Sequence, residues 1–85
     1  MTTGILYIVA TPIGNLEDAS ARLKQVLEGV DIVAAEDTRR TGLLLQHLGL
    51  NKKQIPFHVH NDQRHEDEVI ALLASGQSVA LVSDA

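Results

Sequence analysis

Short apolar runs recur along the chain, separated by stretches in which apolar residues are spaced by three and four. Residues 5–10, 32–35 and 78–82 are nearly continuous apolar runs, and a shorter strand fits 54–58. Continuous runs of this length are typical of strands that are covered on both faces. The pattern therefore predicts four buried strands, the first of them at residues 5–10.

The stretches between these strands predict three helices, because their apolar residues recur at helical spacing. We expect the buried stripe of the first helix to be Leu16, Ala19, Leu23, Val26, Leu27 and Val30. The second helix is carried by Leu43, Leu44, Gln46, His47 and Leu48, and the buried face of the third by Val69, Ile70, Leu72 and Leu73. Glycines 29, 49 and 76 are expected to end them. Candidate N-caps are Asp37 or Thr38, and Asn61 or Asp62.

The resulting order βαβαβαβ predicts an α/β fold, in which a parallel β-sheet alternates with helices through right-handed crossovers. We take residues 1–85 as one N-terminal α/β domain. We expect this domain to be incomplete, because no helix follows the last strand to help cover the sheet. A C-terminal domain is expected to be absent from the chain.

Composition narrows the class of protein. Tyr7 and Phe57 are the only aromatic residues, so the core must be aliphatic. The chain has no Cys, no apolar run of about 18 residues and no basic leader, which favours a cytoplasmic protein without a membrane span. The net charge of −4 means that the chain as a whole does not attract nucleic acid strongly.

Polar residues follow each predicted strand, at residues 11–15, 36–39, 58–61 and 83–84. Because ligands of open parallel sheets bind beyond the carboxyl ends of the strands, these four segments are the candidate site. The alternative is that such loops are polar in any case and supply helix caps.

Each segment has a functional and a structural interpretation. Residues 11–15 could present backbone N–H groups to a ligand, or form an ordinary turn; they match neither the G-x-G-x-x-G fingerprint nor a P-loop. Glu36 and Asp37 place two carboxylates at a strand end, although one of them could be a solvated cap. His58 and His60 could pair on a metal, but further ligands are lacking, so we expect hydrogen bonding and no metal.

Four motifs together resemble a known family. They are LYIVATPIGNLED at residues 6–18, AAEDTR at 34–39, HVHN at 58–61 and ALVSDA at 80–85. In this order and spacing they are similar to the small-subunit ribosomal RNA methyltransferases of the tetrapyrrole (corrin/porphyrin) methylase superfamily. The resemblance covers essentially the whole chain and implies the N-terminal part of the tetrapyrrole methylase fold.

The resemblance also implies an activity. The enzymes it points to transfer a methyl group from S-adenosyl-L-methionine to the ribose 2′-hydroxyl of a cytidine in 16S rRNA. They have two α/β domains with the cofactor in the cleft between them, and they are usually homodimers. The chain's negative charge predicts that the RNA-binding basic surface lies mainly on the absent domain or on a dimer partner.

Carried over by position, the resemblance marks candidate site residues. Pro12 and Gly14 occupy the place of a Gly-x-Gly-Pro-Gly loop that is only partly kept here, and Ser83 and Asp84 match the loop that approaches the cofactor. The ribose hydroxyl must lose a proton, and the candidate acceptors are the carboxylates and imidazoles at the same edge. These catalytic candidates are Glu36, Asp37, His58 and His60.

Two rival functions stay open. One is a methylase of the same superfamily that acts on a tetrapyrrole, against which the AAEDTR and HVHN segments favour the RNA branch. The other is a non-enzymatic, flavodoxin-like binding module. A phospho-receiver domain is disfavoured, because the first strand ends in Thr11 and Pro12 where acids that hold magnesium would be needed.

Overall fold

The computed structural model describes residues 3–10, 21–57 and 63–83. In this part of the chain, strands and helices alternate in the predicted order. The elements are β1 (Leu6–Ala10), α1 (Ala21–Gly29), β2 (Ile32–Ala35), α2 (Thr38–His47), β3 (Lys53–Pro56), α3 (Gln63–Ala74) and β4 (Val79–Ser83). Three strands differ from the prediction by one or two residues. The strand β1 begins one residue later, at Leu6, β3 begins one residue earlier and ends at Pro56, and β4 is shifted by one residue at both ends. Ser83 belongs to β4 because it pairs with Ala10 of β1.

The described strands form one parallel sheet in the order β1-β4-β2-β3. The predicted parallel α/β fold is therefore confirmed. The prediction that β1 is covered on both faces is wrong for the described residues, since Leu6 is 41% and Ile8 73% exposed. An apolar run predicts that its residues form a strand. Whether that strand lies at the edge or in the middle of the sheet depends on which other strands pair with it.

Alternate residues of the central strands build two separate cores. Val33 and Ala35 of β2 face α1 and α2, together with Ala80 and Val82 of β4. Ile32 and Ala34 face α3 on the other side, together with Ile55 and Val79. The connections through α1 and α2 move along the sheet in one direction and that through α3 returns, so right-handed crossovers require α3 to lie on the opposite face.

Within the described residues, the buried faces of the helices follow the predicted stripes with two exceptions, and the predicted Leu16 and Ala19 lie outside those residues. Leu23 and Leu27 of α1, Leu44 of α2 and Val69 of α3 are buried as predicted. Ile70 is 62% exposed, however, because it lies about 100° around the helix from Val69 and so leaves the sheet-facing side. Leu43 of α2 is likewise 55% exposed, and Thr41 and Leu45 are buried in α2 beside Leu44.

The C-terminal ends of α2 and α3 have the same hydrogen-bond pattern. Gly49 (φ 74°) follows α2 and Gly76 (φ 96°) follows α3, and each is in the left-handed region that favours glycine. The N–H of Leu50 donates to the carbonyl of Leu45 at 2.9 Å, and that of Gln77 to Leu72 at 3.0 Å. These are Schellman motifs, and they confirm both glycines as helix ends.

A polar network joins the amino ends of three strands. The carboxylate of Asp31 accepts a hydrogen bond from the N–H of Ser78 at 2.8 Å, and the carbonyl of Ser78 accepts one from the N–H of Asp31 at 2.9 Å. The hydroxyl of Ser78 accepts one from the N–H of Ile5 at 3.1 Å. A Cβ at Gly4 would overlap the carbonyl of Gln77, so only glycine allows this close approach. The network holds the amino ends of β1, β2 and β4 in register.

Candidate functional site

The carboxyl ends of the strands lie level with one another on one edge of the sheet. Ala10 pairs with Ser83, and Ala35 pairs with both Val82 and Pro56. We call this edge the carboxyl rim and define it by Ala10, Ser83, Ala35 and Pro56, together with the residues that directly follow β2 and β3. The predicted convergence of polar segments is confirmed for the two that the structure describes, residues 36–39 and Ser83.

Glu36 and Ser83 are the predicted site residues that the fold brings together. Ala35 pairs with Val82, and Glu36 and Ser83 are the residues that directly follow this pair, so both lie at the carboxyl rim. Glu36 is exposed and Ser83 is half-buried. A carboxylate and a hydroxyl on neighbouring strand ends can both contact one ligand that lies over the rim.

Asp37 is the N-cap of α2. One oxygen of its carboxylate, Oδ1, accepts a hydrogen bond from the N–H of Arg40 at 3.0 Å, and its carbonyl accepts one from the N–H of Thr41, also at 3.0 Å. Its backbone is extended, as an N-cap requires. Of the two cap candidates, Asp37 is therefore the cap, and its carboxylate has a structural role whatever else it does.

The end of β3 is held against the end of β2 beyond the last paired residue. The N–H of Phe57 donates to the carbonyl of Ala35 at 2.8 Å, which continues the ladder past Pro56. The half-buried ring of Phe57 packs on the core that faces α3. These contacts place the carboxyl end of β3 beside Glu36.

The other predicted site residues lie outside the described part of the chain: Pro12, Gly14, His58, His60 and Asp84. Among residues 3–10, 21–57 and 63–83, no group of three or more His, Cys, Asp or Glu residues could hold a metal ion. No helix in the described ranges is long and apolar enough to cross a membrane.

A groove beside β1 adds a charged residue that the sequence patterns did not indicate. It is a cavity of about 180 Å³ between β1 and α1, lined by Val9, Ala10, Arg22, Leu23 and Val26. In the sequence Arg22 stands two residues before Lys24, and no motif or spacing around it indicates a site. Only the packing of α1 against β1 brings it next to Ala10 at the carboxyl rim.

The side chain of Lys52, which directly precedes β3, reaches the C-terminal end of α1. Its ammonium group donates to the carbonyls of Glu28 at 2.8 Å and Val30 at 2.7 Å. Lys52 thus stabilises a helix end. No local sequence signal could have revealed this, because the two partners lie 22 and 24 residues away.

The fold and the rim define the class of protein. It is a parallel α/β domain with a carboxylate and a hydroxyl gathered at the carboxyl ends of its central strands, where proteins of this class bind ligands. Residues 5–84 match the family model of the Tetrapyrrole (Corrin/Porphyrin) Methylases. The chain belongs to this family, and the resemblance seen in its four motifs is confirmed.

Curated relatives are similar to the chain along nearly its whole length. The chain is 56% identical over 82 residues to the "Ribosomal RNA small subunit methyltransferase I" of Escherichia coli O157:H7, and 55% identical over 82 residues to the protein of the same name from Synechocystis sp.. It is 53% identical over 83 residues to that of Pasteurella multocida. These alignments cover 96–98% of the chain but only 29–30% of the relatives' length.

Proposed function

We propose that the chain is the N-terminal α/β part of a methyltransferase that uses S-adenosyl-L-methionine to methylate the ribose 2′-hydroxyl of a cytidine in 16S rRNA. The observation that carries the proposal is the 53–56% identity, along nearly the whole chain, to relatives named as small-subunit ribosomal RNA methyltransferases. The family match over residues 5–84 supports methyl transfer independently of those names.

The residues of the carboxyl rim fit a ligand such as S-adenosylmethionine. Ala10 and Ala35, which flank Ser83 and Glu36 on the rim, have no side chain beyond Cβ, so a ligand can approach the strand ends closely. The carboxylate of Glu36 and the hydroxyl of Ser83 can hydrogen-bond ribose hydroxyls and an amino group. We assign the cofactor to Ser83, and to Pro12, Gly14 and Asp84 by their match to the family motifs.

The protein has to align the ribose oxygen with the methyl group and to remove the proton of the ribose hydroxyl. S-adenosylmethionine, when bound, supplies a methyl group that its positively charged sulfur has already activated. The chain's residues have to hold the ribose oxygen in line with that methyl group and accept the hydroxyl proton as the C–O bond forms. Glu36, Asp37, His58 and His60 are our candidate acceptors, and Glu36 is the best of the described ones because the carboxylate of Asp37 already caps α2.

The proposal also covers where the RNA binds and which protein partner is present. With a net charge of −4, this part of the protein leaves most phosphate binding to cations elsewhere, in a second domain or a dimer partner. We therefore propose a cytoplasmic homodimer whose basic surface lies mainly outside residues 1–85.

A chimera tests the function. This chain replaces the matching segment of the Escherichia coli O157:H7 relative, and methylation of small-subunit ribosomal RNA is followed by mass spectrometry of its nucleosides. We expect 2′-O-methylcytidine to form. In the chimera, Glu36→Gln removes the candidate proton acceptor and is expected to lower the methylation rate by about 10²–10⁴-fold.

The matched control is Glu28→Gln, which changes an exposed glutamate on α1 far from the carboxyl rim and should leave the rate unchanged. A chimera that folds but methylates a tetrapyrrole in place of RNA would support the rival methylase. If the chimera folds and methylates neither substrate, the proposed function is wrong. Full activity in Glu36→Gln would exclude Glu36 as the acceptor.

A further inference from the structure

The described helices begin on the side of the carboxyl rim, because each lies on the connection that leaves the carboxyl end of a strand. The helix α1 follows β1, α2 follows β2 and α3 follows β3. The core that contains Val33 and Ala35 packs against α1 and α2, whereas the core that contains Ile32 and Ala34 packs against α3. The carboxyl rim therefore has an α1/α2 side and an α3 side.

The helices on these two sides carry opposite net charge. Together α1 and α2 have four Arg or Lys residues and one Glu, whereas α3 has one Arg and three acids, Glu66, Asp67 and Glu68. The three acids are exposed. An anionic polymer that reaches the rim is therefore attracted to the α1/α2 side and repelled on the α3 side, although the chain as a whole is negative.

Arg39 lies on the α1/α2 side, in the first turn of α2. Apart from the cap Asp37, this turn holds two arginines and no acid. The dipole of a helix disfavours cations at the N-terminal end, so helix stability does not account for Arg39. In α3, by contrast, the acid Glu66 occupies the first turn, as the dipole favours. Arg39 is exposed, and its side chain leans toward the rim, because the Cα–Cβ bonds of a helix tilt toward its N-terminus.

Arg22 is a second exposed arginine on the α1/α2 side. It is the second residue of α1 as described, and it lines the cavity of about 180 Å³ beside Ala10 at the end of β1. Because β4 lies between β1 and β2, Ser83 lies between the strand end that Arg22 borders and the strand end that Arg39 follows. The two arginines therefore flank the part of the rim that carries Ser83 and Glu36.

We propose that Arg22 and Arg39 bind two phosphates of the substrate RNA, one on each side of the target ribose, so that the RNA backbone crosses the α1/α2 side of the rim. A guanidinium group suits this role, because its planar N–H groups donate two parallel hydrogen bonds to one phosphate. Two such contacts hold the ribose between them over the rim, next to Glu36. This inference rests on the proposed function, since it requires an RNA substrate.

Salt-dependent RNA binding by the chimera tests the two arginines. Fluorescence anisotropy gives the Kd for a single-stranded fragment of small-subunit ribosomal RNA at several salt concentrations. Arg22→Gln and Arg39→Gln should each raise the Kd by about tenfold and lower the magnitude of the slope of log K against log salt by about 0.7, because one phosphate contact is lost. The double variant should lower it by about 1.4. Arg22→Lys and Arg39→Lys keep the positive charge and should keep the slope.

The matched control is Lys53→Gln, which removes one exposed charge where β3 begins, at the end of the sheet opposite the rim. It should leave both the Kd and the slope nearly unchanged. Glu66→Gln, on the α3 side, should not weaken RNA binding. Calorimetry with S-adenosylmethionine should give the same Kd for all variants, since the two arginines bind RNA phosphates and not the carboxylate of the cofactor.

An unchanged slope in the double variant would overturn the proposal, and so would an equal loss in Lys53→Gln, which would show a general effect of charge. Weaker cofactor binding with unchanged RNA binding would assign the arginines to the cofactor carboxylate and overturn it too. If the variants methylate RNA as well as the unchanged chimera at RNA concentrations below KM, the phosphate contacts are wrong and the proposed function stands. RNA binding that depends on both arginines, in a chimera that transfers no methyl group, would support the contacts and count against the proposed function.

Discussion

The ammonium group of Lys52 lies at the carbonyl end of α1, where it donates to Glu28 at 2.8 Å and to Val30 at 2.7 Å. A positive charge at this position also interacts favourably with the negative end of the helix dipole. Unlike α2 and α3, α1 has no glycine with a positive φ at its end. Lys52 satisfies two carbonyls that would otherwise rely on water.

Removing this ammonium group should therefore destabilise the fold. Lys52→Met keeps most of the aliphatic stem and loses both charge-assisted hydrogen bonds, so we expect the free energy of unfolding to fall by about 1–3 kcal/mol. Urea denaturation monitored by circular dichroism measures the change. The neighbouring Lys53→Met, at an exposed position of the edge strand, should change it by less than about 0.5 kcal/mol. Equal effects of the two variants would contradict this role of Lys52.

Residue types predicted some roles well and others not at all. Asp37 was a cap candidate because a carboxylate at the start of a helix accepts backbone N–H groups, and it is the cap. Ile70 was placed on the buried face because it is apolar, and it is exposed. A cap depends on neighbours three residues away, whereas burial depends on the element that packs against the helix.

At the scale of the elements, Asp37 at the start of α2 has two candidate roles, as the helix cap and as a proton acceptor. Its carboxylate accepts the N–H of Arg40 at 3.0 Å, and it also lies next to Glu36 in the candidate site. Cap and proton acceptor make different demands, since a neutral oxygen can still cap a helix but is a poor base. The two roles can therefore be separated by substitution.

We expect Asp37→Ala to lower the free energy of unfolding by about 1 kcal/mol and Asp37→Asn to change it little, because asparagine is an equally good N-cap. Thermal or urea unfolding of the 85-residue chain checks both. In the chimera, loss of methylation in a stable Asp37→Asn variant would assign the carboxylate a chemical role. An unchanged stability of Asp37→Ala would show that the hydrogen bond to Arg40 contributes nothing.

The ends of the helices were predictable because they are local. Gly49 and Gly76 end α2 and α3 with positive φ, as their spacing from the apolar stripes indicated. Strand boundaries were less accurate: Ser83 was expected in a loop and is the last residue of β4. A strand extends as far as its partner does, and the partner of Ser83 is Ala10, 73 residues earlier in the chain.

At the scale of the whole molecule, the charge balance limits what this part of the protein can do with RNA. The chain carries seven Lys and Arg against eleven Asp and Glu. One of the seven cations, Lys52, is bound to the carbonyls of α1. Few positive charges are then left to neutralise phosphates, whereas binding to single-stranded RNA releases about 0.7 counterion per phosphate contacted.

We therefore expect the 85-residue chain to bind a small-subunit ribosomal RNA fragment weakly, with a slope of log K against log salt smaller in magnitude than about 2. Fluorescence anisotropy at several salt concentrations gives the slope. The chimera should show a steeper slope, because its further cations contact phosphates. A slope of about 4 or more for the 85-residue chain would show that residues 1–85 themselves supply the basic surface.

The order of the elements, the ends of two helices and the parallel α/β class could be inferred from the chain alone. Each depends on periodicity, turn chemistry or handedness, which act over a few residues or follow from the connection between successive strands. Of the four polar segments, residues 36–39 and Ser83, which the structure describes, could also be assigned to one edge, because parallel strands all end on the same side.

The neighbours of each element could not be inferred in this way. The insertion of β4 between β1 and β2 is what brings Ser83 next to Glu36 and leaves β1 at the edge of the described sheet. Strand order results from the joint packing of all the helices against both faces. That free energy is shared among residues distant in the chain, so no local pattern records it.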